Sequence, residues 1–241
     1  MNKQLIRKWH RWLGLIIGIQ LLAWTVSGLY FTLIPIEEIR GSHLLDPEAG
    51  FRVNHVAVIS PNELVRQHPA LSELRFDEIA LQQRANRMVY LINNETGRTV
   101  YDAETGALLA PLSEPEALGV AQSRSKLPVE SIHWIETVEA GDEYRGGELP
   151  AWRVRLADNV NLYIGATSGQ VRAVRTSEWR LFDFFWALHI MDYEAREDFN
   201  HLLLQVISTL GVITVLSGLV LFFTTLRRVR RFPSGIPGDN D

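Results

Sequence analysis

The sequence predicts a membrane α-helical hairpin of two spanning helices with an exported α+β domain between them, built of two tandem units of one helix and one antiparallel meander. Three observations predict it. Residues Trp12 to Ile34 run 23 positions without a charge, and Leu202 to Leu226 run 25; a spanning helix needs about 20 predominantly apolar residues. The segment between these runs is polar in character. Within it, two stretches read alike, each pairing an alternating strand pattern with a turn that contains glycine.

In chain order, residues 1–11 hold Lys3, Arg7, Lys8 and Arg11 and predict a cytoplasmic N-terminus by the positive-inside rule. Residues 12–34 are the first span. The bulky Tyr30-Phe31-Thr32-Leu33-Ile34-Pro35 offers no small-x-small cleavage site, so the segment reads as an uncleaved anchor. The second span covers 201–226. Residues 227–241 open with Arg227, Arg228, Arg230 and Arg231 and read as a cytoplasmic tail. The centre is then outside, which is the periplasm if the host is a Gram-negative bacterium with the protein in its inner membrane. Region 35–200 carries 16 basic against 26 acidic residues, a net charge of −10. That balance disfavours nucleic acid as a partner and leaves the lipid bilayer as the first one. Cysteine is absent, which excludes thiol catalysis, Cys-ligated zinc and iron–sulfur clusters.

The outer domain divides into 35–112, a first unit with its linker, and 113–177, a second unit. Aligned without gaps, YDAETGALL falls on IGATSGQVR, so Gly106 meets Gly169 and Thr105 meets Ser168. Each glycine is expected at positive φ in a hairpin turn. Ser60-Pro61-Asn62-Glu63 opens a helix before the first meander, with Ser as N-cap, Pro at N1 and Glu at N3. Ser113-Glu114-Pro115-Glu116 repeats that grammar before the second. One unit of about 60 residues is small to stand alone, and two packed together are favoured. Residues 178–200 bring Trp179, Phe182, Phe185, Trp186, His189 and Tyr193 at spacings of three and four, an amphipathic interfacial segment.

The helix-plus-meander pattern resembles the PepSY domain of exported bacterial proteins. WHRWLGLIIGIQLLAWTVSGLYF resembles the opening helix of PepSY-associated transmembrane proteins, with its His-Arg-x-x-Gly-Leu start and Ser-Gly near the far end. FFWALHIMDYEAREDFNHLLLQVISTLGVITVLSGLVLFF resembles their return segment, with its Leu-His and late Gly-Leu. The resemblance covers nearly all of the chain except the last ten residues. Larger relatives have four or more spans and include haem-containing reductases of iron–siderophore complexes. The resemblance implies at most half of that scaffold here, so a haem site requires a second copy or a partner membrane protein.

Three histidines carry candidate chemistry. His10 starts a helical face that continues through Gly14, Gly18, Leu21, Thr25, Gly28 and Thr32. Gly14 and Gly18 make a G-x-x-x-G pair, which reads as a close helix–helix contact. The same smooth stripe also suits a flat cofactor with His10 as axial ligand, since haem iron is commonly held by His. Trp9 and Trp12 suit an interfacial belt under both readings. His201 begins the second span behind Asn200, a candidate N-cap; it reads either as an interfacial histidine or as a ligand near the outer leaflet. His189 matches the Leu-His of the resembled return segment and is favoured as the outer ligand. A turn in Glu194–Asp198 would let His189 and His201 converge. His43, His55, His68 and His133 are scattered, without H-x-x-x-H or H-E-x-x-H spacing. Glu37 and Glu38 read as a solvated edge.

No G-x-S-x-G, P-loop or G-x-G-x-x-G occurs. The leading expectation is an inner-membrane subunit that binds haem b through His10, His189 and His201, with Gly14 and Gly18 leaving room for it. Such a subunit passes electrons toward a periplasmic acceptor such as a metal chelate, a ferric siderophore or a redox protein. The alternative is a non-catalytic anchored module that docks or regulates an envelope enzyme, peptidase or transporter through its PepSY-like surface.

Overall fold

A computed structural model describes residues 3–47, 57–73, 76–95 and 97–229. The chain divides into two compact units, residues 1–33 with 184–241, and residues 34–183.

The first unit is helical. Helices α1 (Lys3–Leu33) and α6 (Leu202–Val229) contain stretches, Arg7–Leu33 and Leu202–Thr225, that are long and apolar enough to cross a membrane; both stay mostly exposed. Helix α1 extends back through the basic residues Arg7, Lys8 and Arg11 and stops at Leu33. Ile34 precedes Pro35, and a residue before proline is driven out of the helical region. The two helices run antiparallel. Fully buried Ile17 lies against Gly211, and His10 lies against Ser217 and Gly218. Helix α6 begins at Leu202, so His201 holds the N-cap position, one residue later than the expected Asn200.

The middle unit holds two antiparallel sheets. A short helix α2 (Ile36–Ile39) follows the first long helix. Helix α3 (Pro61–Gln67) precedes a sheet of β1 (Phe76–Arg84), β2 (Arg87–Asn94) and β3 (Gly97–Asp102). Helix α4 (Glu114–Arg124) precedes a sheet of β4 (Val129–Ile135), β5 (Ala151–Leu156), β6 (Val160–Gly165) and β7 (Val171–Arg175). Both helix starts follow from their sequences. Ser60 Oγ accepts the Glu63 N–H at 3.1 Å, while Glu116 accepts from both the backbone N–H and the hydroxyl of Ser113 at 2.9 and 2.8 Å.

The internal repeat extends to single hydrogen bonds. Gly106 and Gly169 sit at φ 78° and 72°, and their N–H groups donate to Asp102 O and Gly165 O, both at 2.8 Å. Ile59 N–H donates to Ala103 O, and Leu112 N–H to Ala166 O. Tyr90 Oη donates to Ile59 O at 2.6 Å, and at the matching place Trp152 Nε1 donates to Leu112 O at 2.8 Å. Each repeat thus uses an aromatic polar tip to hold the carbonyl that precedes its helix cap. Tyr90→Phe should cost about 1–3 kcal/mol, because it leaves the Ile59 carbonyl without that donor. Thermal unfolding of the full chain, compared with Tyr101→Phe, measures it.

The cores are repeated too. Leu64, Met88, Tyr90, Ile92 and Tyr101 pack beneath α3, and Ala117, Trp152, Val154, Leu162 and Ile164 beneath α4. The repeats are joined by Arg84, 4% exposed, which donates to Ala110 O at 2.6 Å and to Ala166 O at 3.2 Å. A Cβ on Gly169 would lie 2.7 Å from Arg84 Cγ, so glycine is required there by contact as well as by φ.

The repeats differ at one connection. Ala85 and Asn86 join β1 to β2, whereas residues 136–150 join β4 to β5. This fifteen-residue insertion has no counterpart in the first repeat. Its inward side chains tie it down. The Tyr144 ring stacks on Tyr163 at 4.3 Å and 3°, and burial pushes the Tyr144 hydroxyl pKa up to about 12. Glu148 accepts from Arg98 at 2.6 Å, Arg172 at 2.9 Å and Ser168 N–H at 2.8 Å. Burial alone would raise the Glu143 pKa, yet donors from Asn161, Tyr163 and Arg180 hold it below the usual carboxylate value. Arg145 pairs with Asp183, whose side chain is 4% exposed. Helix α5 (Ser177–Ile190) starts in this middle unit and ends in the helical one.

Candidate functional site

In the helical unit two histidines are held in the same way. His10 Nδ1 lies 2.7 Å from Ser217 Oγ, and Ser217 Oγ donates to Thr214 O at 2.8 Å. His189 Nδ1 lies 2.7 Å from Ser27 Oγ, and Ser27 Oγ donates to Trp24 O at 3.1 Å. A serine hydroxyl carries one proton. With that proton given to a carbonyl of its own helix, each oxygen accepts from imidazole Nδ1–H. In its neutral form each ring is then the Nδ1–H tautomer, with the lone pair on Nε2. Among the described residues, no hydrogen bond reaches either Nε2. A histidine that binds metal usually donates its other ring N–H to such a partner, which fixes both tautomer and orientation.

The surroundings of the two rings differ. His10 packs on the open backbone of Gly218, where a Cβ would lie 3.2 Å from its Cε1. His189 sits among aromatics, its ring centroid 5.6 Å from Phe31 and 6.4 Å from Trp24. Burial lowers the His189 pKa from its ordinary value, which favours the neutral ring. Ser27 and His10 are separated by 17 residues of α1, about 25 Å of rise. The two imidazoles therefore belong to two separate levels.

His201 has another role. Its Nε2 donates to Ile190 O at 2.9 Å, and its Nδ1 accepts the Leu204 N–H at 3.4 Å. Both ring nitrogens are thus used in capping two helix ends. The anticipated turn between His189 and His201 is present, but it does not bring them together as a pair of free imidazoles. It is built on Asp192, whose carboxylate accepts the backbone N–H groups of Glu194, Ala195, Glu197 and Asp198. These bonds hold the Asp192 carboxyl below its ordinary pKa, against burial, which would raise it.

The last turn of α5 is closed by side chains. Gln20 Nε2 donates to Leu188 O at 3.4 Å, Trp24 Nε1 to His189 O at 2.7 Å, and His201 Nε2 to Ile190 O. Met191 then adopts φ 59°. The final carbonyls of a helix have no intrahelical partner, and here three are satisfied without water.

Gly14, Gly18 and Gly28 face open space, with nothing within 4 Å of a Cβ placed on any of them. Among the described residues, no helix packs against Gly14 and Gly18. The contact with α6 runs through Ile17 and His10 instead. Trp9 and Trp12 are exposed.

The remaining histidines stay apart. His68 caps α3, with Nε2 2.7 Å from Gly106 O and its ring 4.8 Å from Tyr101. His43 lies in a 3₁₀ turn and His133 on β4; His55 lies outside the described residues. Among the described residues no three His, Asp or Glu side chains are gathered as a metal site. Sequence reasoning noted Ser27 only as part of the resembled Ser-Gly motif and passed over Ser217. A signal for them exists, because Ser-Gly-Leu occurs in each apolar run, at Ser27-Gly28-Leu29 and at Ser217-Gly218-Leu219. No family model, curated protein or solved structure gives a match to this chain.

Proposed function

We propose that this chain is a membrane subunit of the PepSY-associated type that binds haem b and passes electrons between the bilayer and an acceptor in the periplasm, with both termini in the cytoplasm. One observation carries the proposal: two imidazoles at two levels, each held through Nδ1 by a serine, with Nε2 unengaged among the described residues. His10 and His189 are the iron ligands in this reading, and His201 positions the end of α5 beside His189. The open backbones of Gly14 and Gly18 leave room for a flat ring on the His10 face. Lys8 and Arg11 supply cations for its propionates. One-electron transfer is the chemistry that a bound haem supplies. The protein's own part is to orient the imidazoles through Ser217 and Ser27 and, at His189, to favour the neutral ring by burial. Each level offers one histidine of this kind, so a second copy of the chain supplies the other ligand at the same depth. The repeated helix-plus-meander units would dock the acceptor, a metal chelate or a redox protein.

The test is the absorption spectrum of the full chain, purified in detergent after expression with ample haem supply. A Soret band with two haems per dimer is expected. A colourless protein would sink the electron-transfer reading and leave the docking module in its place. Reporter fusions check the orientation. A fusion in the insertion after Gly141 should read as exported, and one following the last residue as cytoplasmic; the opposite signals would overturn the topology.

A further inference from the structure

The two repeats use one sheet row in opposite ways. In the first sheet Ala80, Leu91 and Val100 lie side by side across β1, β2 and β3. Leu91 and Val100 are buried there in a small apolar cluster with Val89. The register puts His133, Arg153 and Tyr163 at the same places across β4, β5 and β6. A row that is apolar and closed in one repeat is thus polar in the other. The pleat is in phase, since Tyr90 and Trp152, one residue earlier, both point into the helix-side cores. The insertion 136–150 borders the polar row, and a cleft of about 520 Å³ remains beside it, lined by Arg153, Asn159, Asn161, Tyr163 and Arg180 among others. Small-molecule sites run from about 300 to 1,000 Å³. An insertion confined to one repeat is where repeat proteins place binding loops.

The charges in the cleft differ in how they are engaged. Three acids also line it, and each already serves the protein. Glu143 takes donors from Asn161, Tyr163 and Arg180. Glu136 accepts from Trp134 Nε1 at 2.9 Å, and Asp142 accepts the Glu139 N–H at 2.8 Å. Arg153 is exposed and, among the described residues, has neither an ion pair nor a hydrogen bond. Arg180 uses Nε for Glu143 and Nη1 for Asn159 O, so its Nη2 is not engaged. The unengaged groups are therefore mainly donors. A guanidinium presents its N–H groups in a planar fork that matches two oxygens of a carboxylate or phosphate.

We propose that this cleft of the second repeat binds a small solute through an oxyanion, a carboxylate or a phosphate seated on Arg153, with Arg180 and the Asn159 amide completing the donors. Leu91 at the matching place in the first repeat explains why only the second repeat has the site. Equilibrium dialysis of the full chain in detergent, at constant ionic strength, tests it with radiolabelled citrate in one arm and inorganic phosphate in the other. Saturable binding of either probe at one site per chain is expected, and the arm that binds names the oxyanion. Arg153→Gln should weaken it at least about tenfold, with partial recovery in Arg153→Lys and unchanged circular dichroism in both. If neither probe binds, or if Arg153→Gln binds as tightly as the parent, the proposal fails.

Discussion

Asp183→Ala should lower the thermal midpoint of the middle unit by about 6–20 °C. The Asp183 side chain is 4% exposed and pairs with Arg145, itself 15% exposed. Removing one partner of a buried ion pair commonly costs about 3–5 kcal/mol. For a domain of this size each kcal/mol moves the midpoint by about 2–4 °C. The loss should not stay local, because Arg145 also sits over Trp179, 5.7 Å from its ring centre, with Arg175 at 4.1 Å. Arg145→Met combined with Asp183→Leu should recover most of the loss, since apolar groups of similar volume can replace a buried pair. Circular dichroism melts of the full chain in detergent give both values. A midpoint within 2 °C of the parent for Asp183→Ala would show that the pair contributes little to stability.

His189→Ala should abolish one of two haem populations, and His10→Ala the other. Each substitution removes an imidazole whose Nε2 is free and whose Nδ1 is bound to serine. The middle unit should keep its melting midpoint in both variants. Ser27→Ala should be milder than His189→Ala. It removes the acceptor that fixes the ring but leaves the ligand atom, and loss of an outer-shell partner typically costs 10–100-fold in metal affinity. Haem content by the pyridine haemochrome assay separates these outcomes. Equal haem content in the parent and in both histidine variants would remove His10 and His189 from the site.

Local features of the fold were legible in the sequence, and distant pairings were not. The two long helices follow from unbroken apolar runs, which few other structures can accommodate. The Ser113–Glu116 cap and the positive φ of Gly106 and Gly169 follow from residues within four positions of one another. The insertion 136–150 gave no comparable sign, because its anchors reach far along the chain. Glu148 meets Arg98 across 50 residues, and Arg145 meets Asp183 across 38. The candidate site shows the same limit. His10 and His189 stood out by type and position, but the serines that set their tautomers lie 207 and 162 residues away. Spacing along a single helix likewise groups Gly14 and Gly18 on one face without naming what covers them. Periodicity tells which residues share a face and leaves open what that face meets. His201 was legible as a helix start, and only the carbonyl of Ile190 shows what its ring does there.

The closed last turn of α5 bears on the order in which the protein is assembled. Its three terminal carbonyls are held by Gln20 and Trp24 from α1 and by His201 at the head of α6. None of these donors belongs to α5 itself. Until α6 follows, the Ile190 carbonyl lacks its His201 donor and depends on water; in a bilayer, unpaired carbonyls are excluded. His189 itself is held by Trp24 and Ser27 of α1, which precede it in the chain, so only the Ile190 carbonyl waits for the head of α6. A nascent chain that stops short of residue 201 would therefore carry His189 with both of its α1 partners and leave the Ile190 carbonyl without the His201 donor.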